Sequence, residues 1–315
     1  MPLLTKEHIS RISHPEGARD MFKLAVCQVI LETSYFCNRR CGYCPNATID
    51  RISDKKYLSL ELLEKISSDL GSIDYSEEIQ LQLYNEPLAD PDICKKISII
   101  RSHCPNARIT IYSNGDYLNQ SLLEELRAAG LSALQLAFHL GNTDEWSDER
   151  IIERLTEMSV RLGKVAKLEQ FIPGMGIRGK FPDKSMDITI AHQDYYKSGS
   201  DRAGLVSSVQ PRQPSTAPCI VPFVAFHVAW DGSLMPCCHV HPDAPEHQGY
   251  KIGNVADFPD IFLAYANSSL ADWRRSLAVP GVRKPPCDTC PEGVGDGPSL
   301  DLLMSLYGDL VGTAG

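Results

Sequence analysis

Three cysteines within eight residues, Cys37-Asn-Arg-Arg-Cys41-Gly-Tyr-Cys44, constrain this chain more than any other feature. Three thiolates can converge on one metal centre, and their number separates the candidates. A structural zinc ion takes four ligands, so it would need a remote fourth. A [4Fe–4S] cluster held by three thiolates keeps one iron open. Residues 28–33 (QVILET) read as a strand running straight into this loop. The chain has eleven cysteines in all. Its first twenty residues hold no apolar h-region, and no apolar run approaches the roughly 18 residues of a membrane span. The expectation is therefore a cytoplasmic protein with no membrane partner, whose thiols are inert core residues or ligands and not a disulfide framework. Lys and Arg number 31 against 40 Asp and Glu, a net charge of −9, which with no dense basic stripe argues against a nucleic-acid partner.

From residue 25 strand-like and helix-like segments alternate. Residues 59–70 space leucine and isoleucine as an amphipathic helix does. A strand over 78–84, a helix over 91–102, a strand over 108–112, a helix over 120–129 closed by Gly130 and a strand over 133–138 follow. Repeated βα units predict an α/β fold with a parallel sheet, open or barrel-like, and with its chemistry at the strands' C-terminal ends. Residues 173–218, rich in Gly and Pro, read as a bridge. Residues 219–290 then form a separate small unit with a second cysteine set: Cys219, Cys237, Cys287 and Cys290. Between the first two, a β-hairpin turning at Asp231-Gly232 would bring its ends together, and Cys287-Asp-Thr-Cys290 supplies a tight second pair. Four thiolates close either a zinc site or a [4Fe–4S] cluster with no open iron, and spacing alone favours zinc slightly. The last twenty-five residues read as a loop and a short packing helix. Cys27, Cys94 and Cys104 show no ligand spacing and are expected to be buried thiols.

The CxxxCxxC spacing with Tyr43 before the third cysteine resembles the signature of the radical S-adenosylmethionine (SAM) superfamily. The resemblance implies a partial (β/α)6 barrel whose first cluster, on Cys37, Cys41 and Cys44, binds SAM at its open iron. Segment 83–87 (LYNEP) falls where that superfamily has a GGE-like motif; Asn85 replaces the usual small residue, and Glu86 would meet the methionine amino group. Segment 111–115 (IYSNG) is similar to the one that meets the cofactor's ribose and carboxylate, which gives Ser113 and Asn114 to cofactor binding beside Tyr43 and Glu86. Behind such a barrel, the Cx12Gx4C…CxxC layout resembles a Twitch domain, a shortened SPASM domain of β-hairpin plus helix that holds an auxiliary [4Fe–4S] cluster. The implied division is an N-terminal extension over 1–24, the radical SAM barrel over 25–205, the Twitch domain over 206–295 and a tail over 296–315.

A narrower resemblance, to the 2-deoxy-scyllo-inosamine dehydrogenase family of aminoglycoside biosynthesis, lies in CNRRCGYCPNA, LQLYNEPLA, ITIYSNGDYL, the 219–237 hairpin and PPCDTC. It implies a small sugar or aminoglycoside substrate met by Tyr112, His139 and Arg202, and an electron donor such as flavodoxin or ferredoxin. At the position after the second auxiliary ligand, the family's aromatic is replaced by Cys238. A thiol can return a hydrogen atom to a carbon radical, and the layout is also similar to that of neomycin C epimerase. The expected function is therefore a radical SAM epimerase that abstracts hydrogen from a carbinol carbon of an aminoglycoside, related sugar or aminocyclitol and restores it from Cys238 with inversion. The alternative is a dehydrogenase that oxidises the alcohol to a ketone by way of the auxiliary cluster. A peptide-modifying enzyme is the third reading, weakened because only some 24 residues precede the first strand. A non-enzymatic zinc module built on His239, His241 and His247 lacks the ββα spacing of a finger.

Overall fold

The computed structural model describes residues 4–10, 14–140 and 146–293. Nearly all of the expected C-terminal loop and helix lies outside the described residues.

One nine-stranded sheet organises the molecule, in the order β5-β6-β7-β4-β3-β2-β1-β8-β9. The strands are β1 (Gln28–Leu31), β2 (Glu78–Gln80), β3 (Arg108–Ser113), β4 (Ala133–Leu136), β5 (Lys167–Ile172), β6 (Gly176–Phe181), β7 (Asp187–Gln193), β8 (Ala225–Val228) and β9 (Leu234–Met235). Six of them, β8-β1-β2-β3-β4-β7, run parallel and form the partial barrel. Helices α1 (Pro15–Ala25), α2 (Leu60–Gly71), α3 (Ile93–His103), α4 (Gln120–Ala129) and α5 (Asp148–Leu162) precede or link these strands. Ser59, Asn119 and Ser147 cap α2, α4 and α5 by accepting a bond from a first-turn amide, and Gly130 ends α4 in the left-handed conformation. The helix-facing side of the sheet is apolar: Ile79, Ile109, Ile111, Leu134, Leu136, Ile188 and Ile190 are buried in one continuous core. Phe22 of α1 joins this core, with ring centroids 5.5 Å from Phe226, 5.4 Å from Phe262 and 5.2 Å from Tyr265. The N-terminal extension thus includes a helix that packs as part of the body. Among the described residues no helix is long and apolar enough to cross a membrane.

Three sequence expectations change. The 173–218 bridge contains β6 and β7, which with β5 extend the barrel edge as an antiparallel meander. In β6 the side chains alternate between buried Ile177, Gly179 and Phe181 and exposed Arg178 and Lys180, a pattern masked in the sequence by glycine and flanking proline. Gly179 is required there by close approach, because a Cβ would lie 2.7 Å from the Lys167 carbonyl. The strand expected over 78–84 stops at Gln80, and the Asn85 side chain then accepts from the Leu83 amide at 3.1 Å and turns the chain into the site. Finally, the second unit shares the barrel's sheet: β8 pairs in parallel with β1 over four residues, while residues 221–224 form a single helical turn, α6 (Val221–Val224), instead of a strand.

The β8–β9 hairpin turns where expected, with Gly232 at φ +82°, and a Cβ there would meet Asn254 Oδ1 at 2.8 Å and Leu62 Cδ2 at 2.9 Å. Gly232→Ala should cost more than about 1 kcal/mol, the penalty of a left-handed residue alone. Gly163→Ala, also at positive φ but with open space around it, should cost only that penalty. Urea unfolding of the two variants checks the ordering.

Candidate active site

Loops from the C-terminal ends of β1, β2, β3, β4 and β7 close around a cavity of about 270 Å³. Cys37, Cys41, Tyr43 and Cys44 come from the loop after β1, and Tyr84, Asn85 and Glu86 from the segment after β2. Tyr112, Ser113 and Asn114 come from β3, Gln135 and His139 from β4, and Tyr195 and Arg202 from the chain after β7. The structure therefore brings together the first cysteine set and all seven non-cysteine candidates. Size is not what marks this site. A cleft of about 1110 Å³ near Arg40, Trp146 and Gln210 contains no cysteine.

Each cysteine set converges. Cys37 interacts electrostatically with Cys41 and Cys44; Cys237 does so with Cys219 and Cys287, and Cys287 with Cys219 and Cys290. Burial pushes the Cys37 and Cys287 thiols up to about 12 and Cys41 to about 11. Such groups ionise only when a cation joins them, so metal uptake releases protons. Among the described residues no three donors are gathered tightly enough for a single metal ion. A cubane asks for a different arrangement: each thiolate binds its own iron, and the ligands stand at the corners of a cluster. Three thiols in the first set and four in the second are the numbers that an open and a closed cluster take. His239 lies beside the second set, its Nδ1 3.6 Å from the Cys290 sulfur, and burial first of all lowers it to about 4.

Glu86 is fully enclosed. Its carboxylate accepts from the Ser113 hydroxyl at 2.6 Å, the Asn114 amide at 2.8 Å and the Leu88 amide at 3.0 Å. Burial outweighs these three donors and raises its pKa to about 7. Across the cavity Arg39 makes a two-pronged pair with Asp116 at 2.7 Å, which Asn38 and Arg154 complete at 2.8 Å each. Burial opposes ionisation of Asp116, but these donors hold its carboxyl well below the usual range. Arg39 also donates to the His139 carbonyl at 2.7 Å, which positions that residue. Burial keeps the His139 ring neutral, and its Nδ1 stands 2.5 Å from the Tyr43 hydroxyl. Arg39 and Asp116 carry no spacing signal of their own in the sequence, although both sit inside the motifs CNRRC and SNGD.

Tyr84 joins the two cysteine sets. Its amide donates to Glu32 at 3.0 Å, its carbonyl accepts from Asn46 at 2.8 Å and its hydroxyl donates to the Cys238 carbonyl at 2.8 Å. Its ring lies against His241, centroids 4.1 Å apart. Beneath it the fully buried Arg51 pairs with Glu32 at 2.8 Å and with Asp243 at 3.3 Å, and the Trp230 amide donates to Glu32 at 3.3 Å. Cys238 is half-buried, and its thiol interacts electrostatically with Arg202 and Tyr84, which line the cavity. Arg202 and Ala203 take φ of +51° and +56°, a conformation that costs on the order of 1 kcal/mol per residue. The turn is pinned by His247, whose Nε2 lies 3.0 Å from the Ala203 carbonyl. His241 and His247 thus have packing roles.

Comparison with known proteins agrees with this geometry. Residues 31–169 match the Radical SAM superfamily, and residues 219–291 match SPASM, an iron-sulfur cluster-binding domain. The chain is a radical SAM protein with a SPASM-type domain. It is 23% identical over 247 residues to the S-adenosyl-L-methionine-dependent 2-deoxy-scyllo-inosamine dehydrogenase of Niallia circulans, covering 78% of this chain and 85% of the relative. In fold it is similar to the crystal structure of BtrN in complex with AdoMet and 2-DOIA, with a TM-score of 0.57 and 20% identity over 85% of this chain and 92% of that one. A structure of BtrN in an open conformation matches with a TM-score of 0.56, 19% identity and the same coverage. The radical SAM barrel is thus the part that encloses the cavity, and the SPASM-type part supplies the second cysteine set. Two [4Fe–4S] clusters and SAM are the cofactors of this domain pair.

The buried Arg51 generates a testable consequence. Arg51→Ala leaves the enclosed Glu32 carboxyl, whose pKa burial already raises to about 7, and Asp243 and the Tyr35 carbonyl without their shared partner, and should cost about 3–5 kcal/mol. Removing the exposed Lys56–Asp54 pair by Lys56→Ala should lower stability far less, because solvent screens an exposed pair. Equal losses for the two variants in urea unfolding would contradict the assignment.

Proposed function

We propose that this radical SAM enzyme oxidises a secondary alcohol of an aminocyclitol-like polyol to a ketone. The observation that carries the reading is the cavity itself: it gathers the three first-set thiols, a neutral His139 and Arg202 at the ends of the barrel strands. The dehydrogenase that the chain resembles supports the same outcome. Cys37, Cys41 and Cys44 would hold the open cluster, and Cys219, Cys237, Cys287 and Cys290 the closed one. When bound, the open cluster with SAM supplies a 5′-deoxyadenosyl radical that removes the carbinol hydrogen, and the closed cluster supplies an acceptor for the electron left behind.

This chain's side chains do the rest. The Tyr43 hydroxyl is bonded to the Cys41 sulfur; if it donates there, it accepts from His139 Nδ1–H, and Nε2 keeps the free lone pair. His139 Nε2 then takes the hydroxyl proton as the ketone forms. The Arg202 guanidinium, with no hydrogen-bond partner among the described residues, binds a substrate hydroxyl, and Tyr112 bounds the ring. Glu86, Ser113 and Asn114 receive the polar groups of SAM. Epimerisation would instead require Cys238 to reach the face of the substrate opposite the abstracted hydrogen.

Turnover in D2O under anaerobic reduction separates the outcomes. Incubation with 2-deoxy-scyllo-inosamine and related cyclitols should give a product two mass units lighter, and His139→Ala should suppress it while uncoupled SAM cleavage continues. An inverted alcohol carrying solvent deuterium, lost in Cys238→Ala, would overturn the oxidation reading. Glu86 makes a second prediction, with its sign set by its raised pKa. The carboxylate that receives the methionine ammonium is lost as pH falls through about 7. SAM affinity should therefore drop between about pH 8 and 6, and Glu86→Gln should bind weakly with no such slope in equilibrium titrations.

A further inference from the structure

The inner face of the β5–β6–β7 meander forms a groove of about 810 Å³ that the proposed reaction does not use. Its residues share one face by register. Gln135 pairs with Thr189, Arg178 with Ala191, and Gln170 with Arg178. The opposite face carries Ile177, Phe181, Ile188 and Ile190 into the core. Gln135 and Tyr195 line both this groove and the central cavity, so the two adjoin. The volume falls within the roughly 300–1,000 Å³ of small-molecule sites.

The chemistry of the wall identifies what it would take. Gln135, Gln170 and Thr189 offer amide and hydroxyl groups that both donate and accept, as neighbouring sugar hydroxyls do. The Arg178 side chain is exposed and its guanidinium has no hydrogen-bond or ion-pair partner among the described residues, and its planar fork of donors suits a pair of vicinal hydroxyls. Glu169 is already paired with Lys180 at 2.6 Å, which leaves Arg178 to set the charge of the groove and disfavours an ammonium group. Ala191 and Ile172 supply apolar contact for ring C–H groups.

We infer that the groove binds a second, hydroxyl-rich ring of an extended substrate: a glycoside whose cyclitol reacts in the central cavity while its O-linked sugar lies along β6 and β7. This rests on the proposed oxidation of a cyclitol alcohol, and names the larger class to which that substrate belongs. No further bond is made or broken in the groove; it contributes affinity and orientation.

The test is anaerobic calorimetric binding to enzyme that carries both clusters and SAM, with two probes: 2-deoxy-scyllo-inosamine, and the same ring with one O-linked glucose. The wild type should bind the glucoside more tightly than the free ring. Arg178→Ala and Gln170→Ala, both at exposed positions, should each weaken the glucoside about tenfold, the size expected for one lost hydrogen bond of this kind, and leave the free ring unchanged. Equal affinity of the wild type for both probes, or equal weakening of both by the variants, would overturn the inference. Selective binding of the glucoside without ketone formation from either probe would sustain the groove and sink the oxidation reading, so the two failures are distinct.

Discussion

A charged arginine enclosed between the barrel and the second cysteine unit holds the site together. Arg51 has no exposed side-chain surface, and its partners come from three places: Glu32 at the end of β1, Asp243 beyond the hairpin and the carbonyls of Tyr35 and Ser34 on the cluster loop. Taking such a charge out of water costs several kcal/mol, and the interactions recover that cost only if every partner is in place. The arrangement is therefore all or none. The same carboxylate of Glu32 receives the amides of Tyr84 and Trp230, so the segment after β2 and the hairpin after β8 are referred to one buried charge. The Arg51 carbonyl in turn accepts from the Cys37 amide at 3.0 Å, which extends the constraint to the first thiol.

Mechanistic roles follow from what this frame puts within reach. Parallel strands end together, so the residues that follow them meet in one place. Residues at the ends of five strands accordingly share one cavity although more than 160 positions separate Cys37 from Arg202. Burial does the electrostatic tuning: it keeps the first-set thiols protonated until a cation arrives, keeps His139 neutral and leaves Glu86 poised near neutrality. The second thiol set lies on the far side of Tyr84, whose hydroxyl bond to Cys238 connects the two units without placing that cysteine in the cavity lining.

Much of this was legible in the sequence because its carriers are local. The CxxxCxxC loop, the Asp231-Gly232 turn and the helix over 120–129 follow from short-range spacing, while Tyr112, His139 and Arg202 as site residues follow only from the family resemblance. What the sequence hid depends on partners far along the chain. Glu32 and Arg51 read as an ordinary carboxylate and an ordinary basic residue until β8 folds beside β1. The β6 strand is amphipathic, but Gly176, Gly179 and the neighbouring prolines give it the composition of a loop. Cys238 is a different case. Its place after Cys237 suggests a chemical role for the thiol; the structure shows its carbonyl accepting from the Tyr84 hydroxyl and its thiol within electrostatic reach of Arg202.

The account's central claim is that one cavity, bounded by the first thiol set, His139 and Arg202, performs the oxidation without Cys238. An anaerobic crystal structure with both clusters, SAM and a cyclitol substrate tests it most directly. The account predicts a carbinol carbon facing the SAM C5′ atom, its hydroxyl within hydrogen-bond reach of His139 Nε2, and the Cys238 sulfur out of contact with the ring. A substrate held with the Cys238 sulfur against its opposite face, and His139 away from its hydroxyl, would contradict the account.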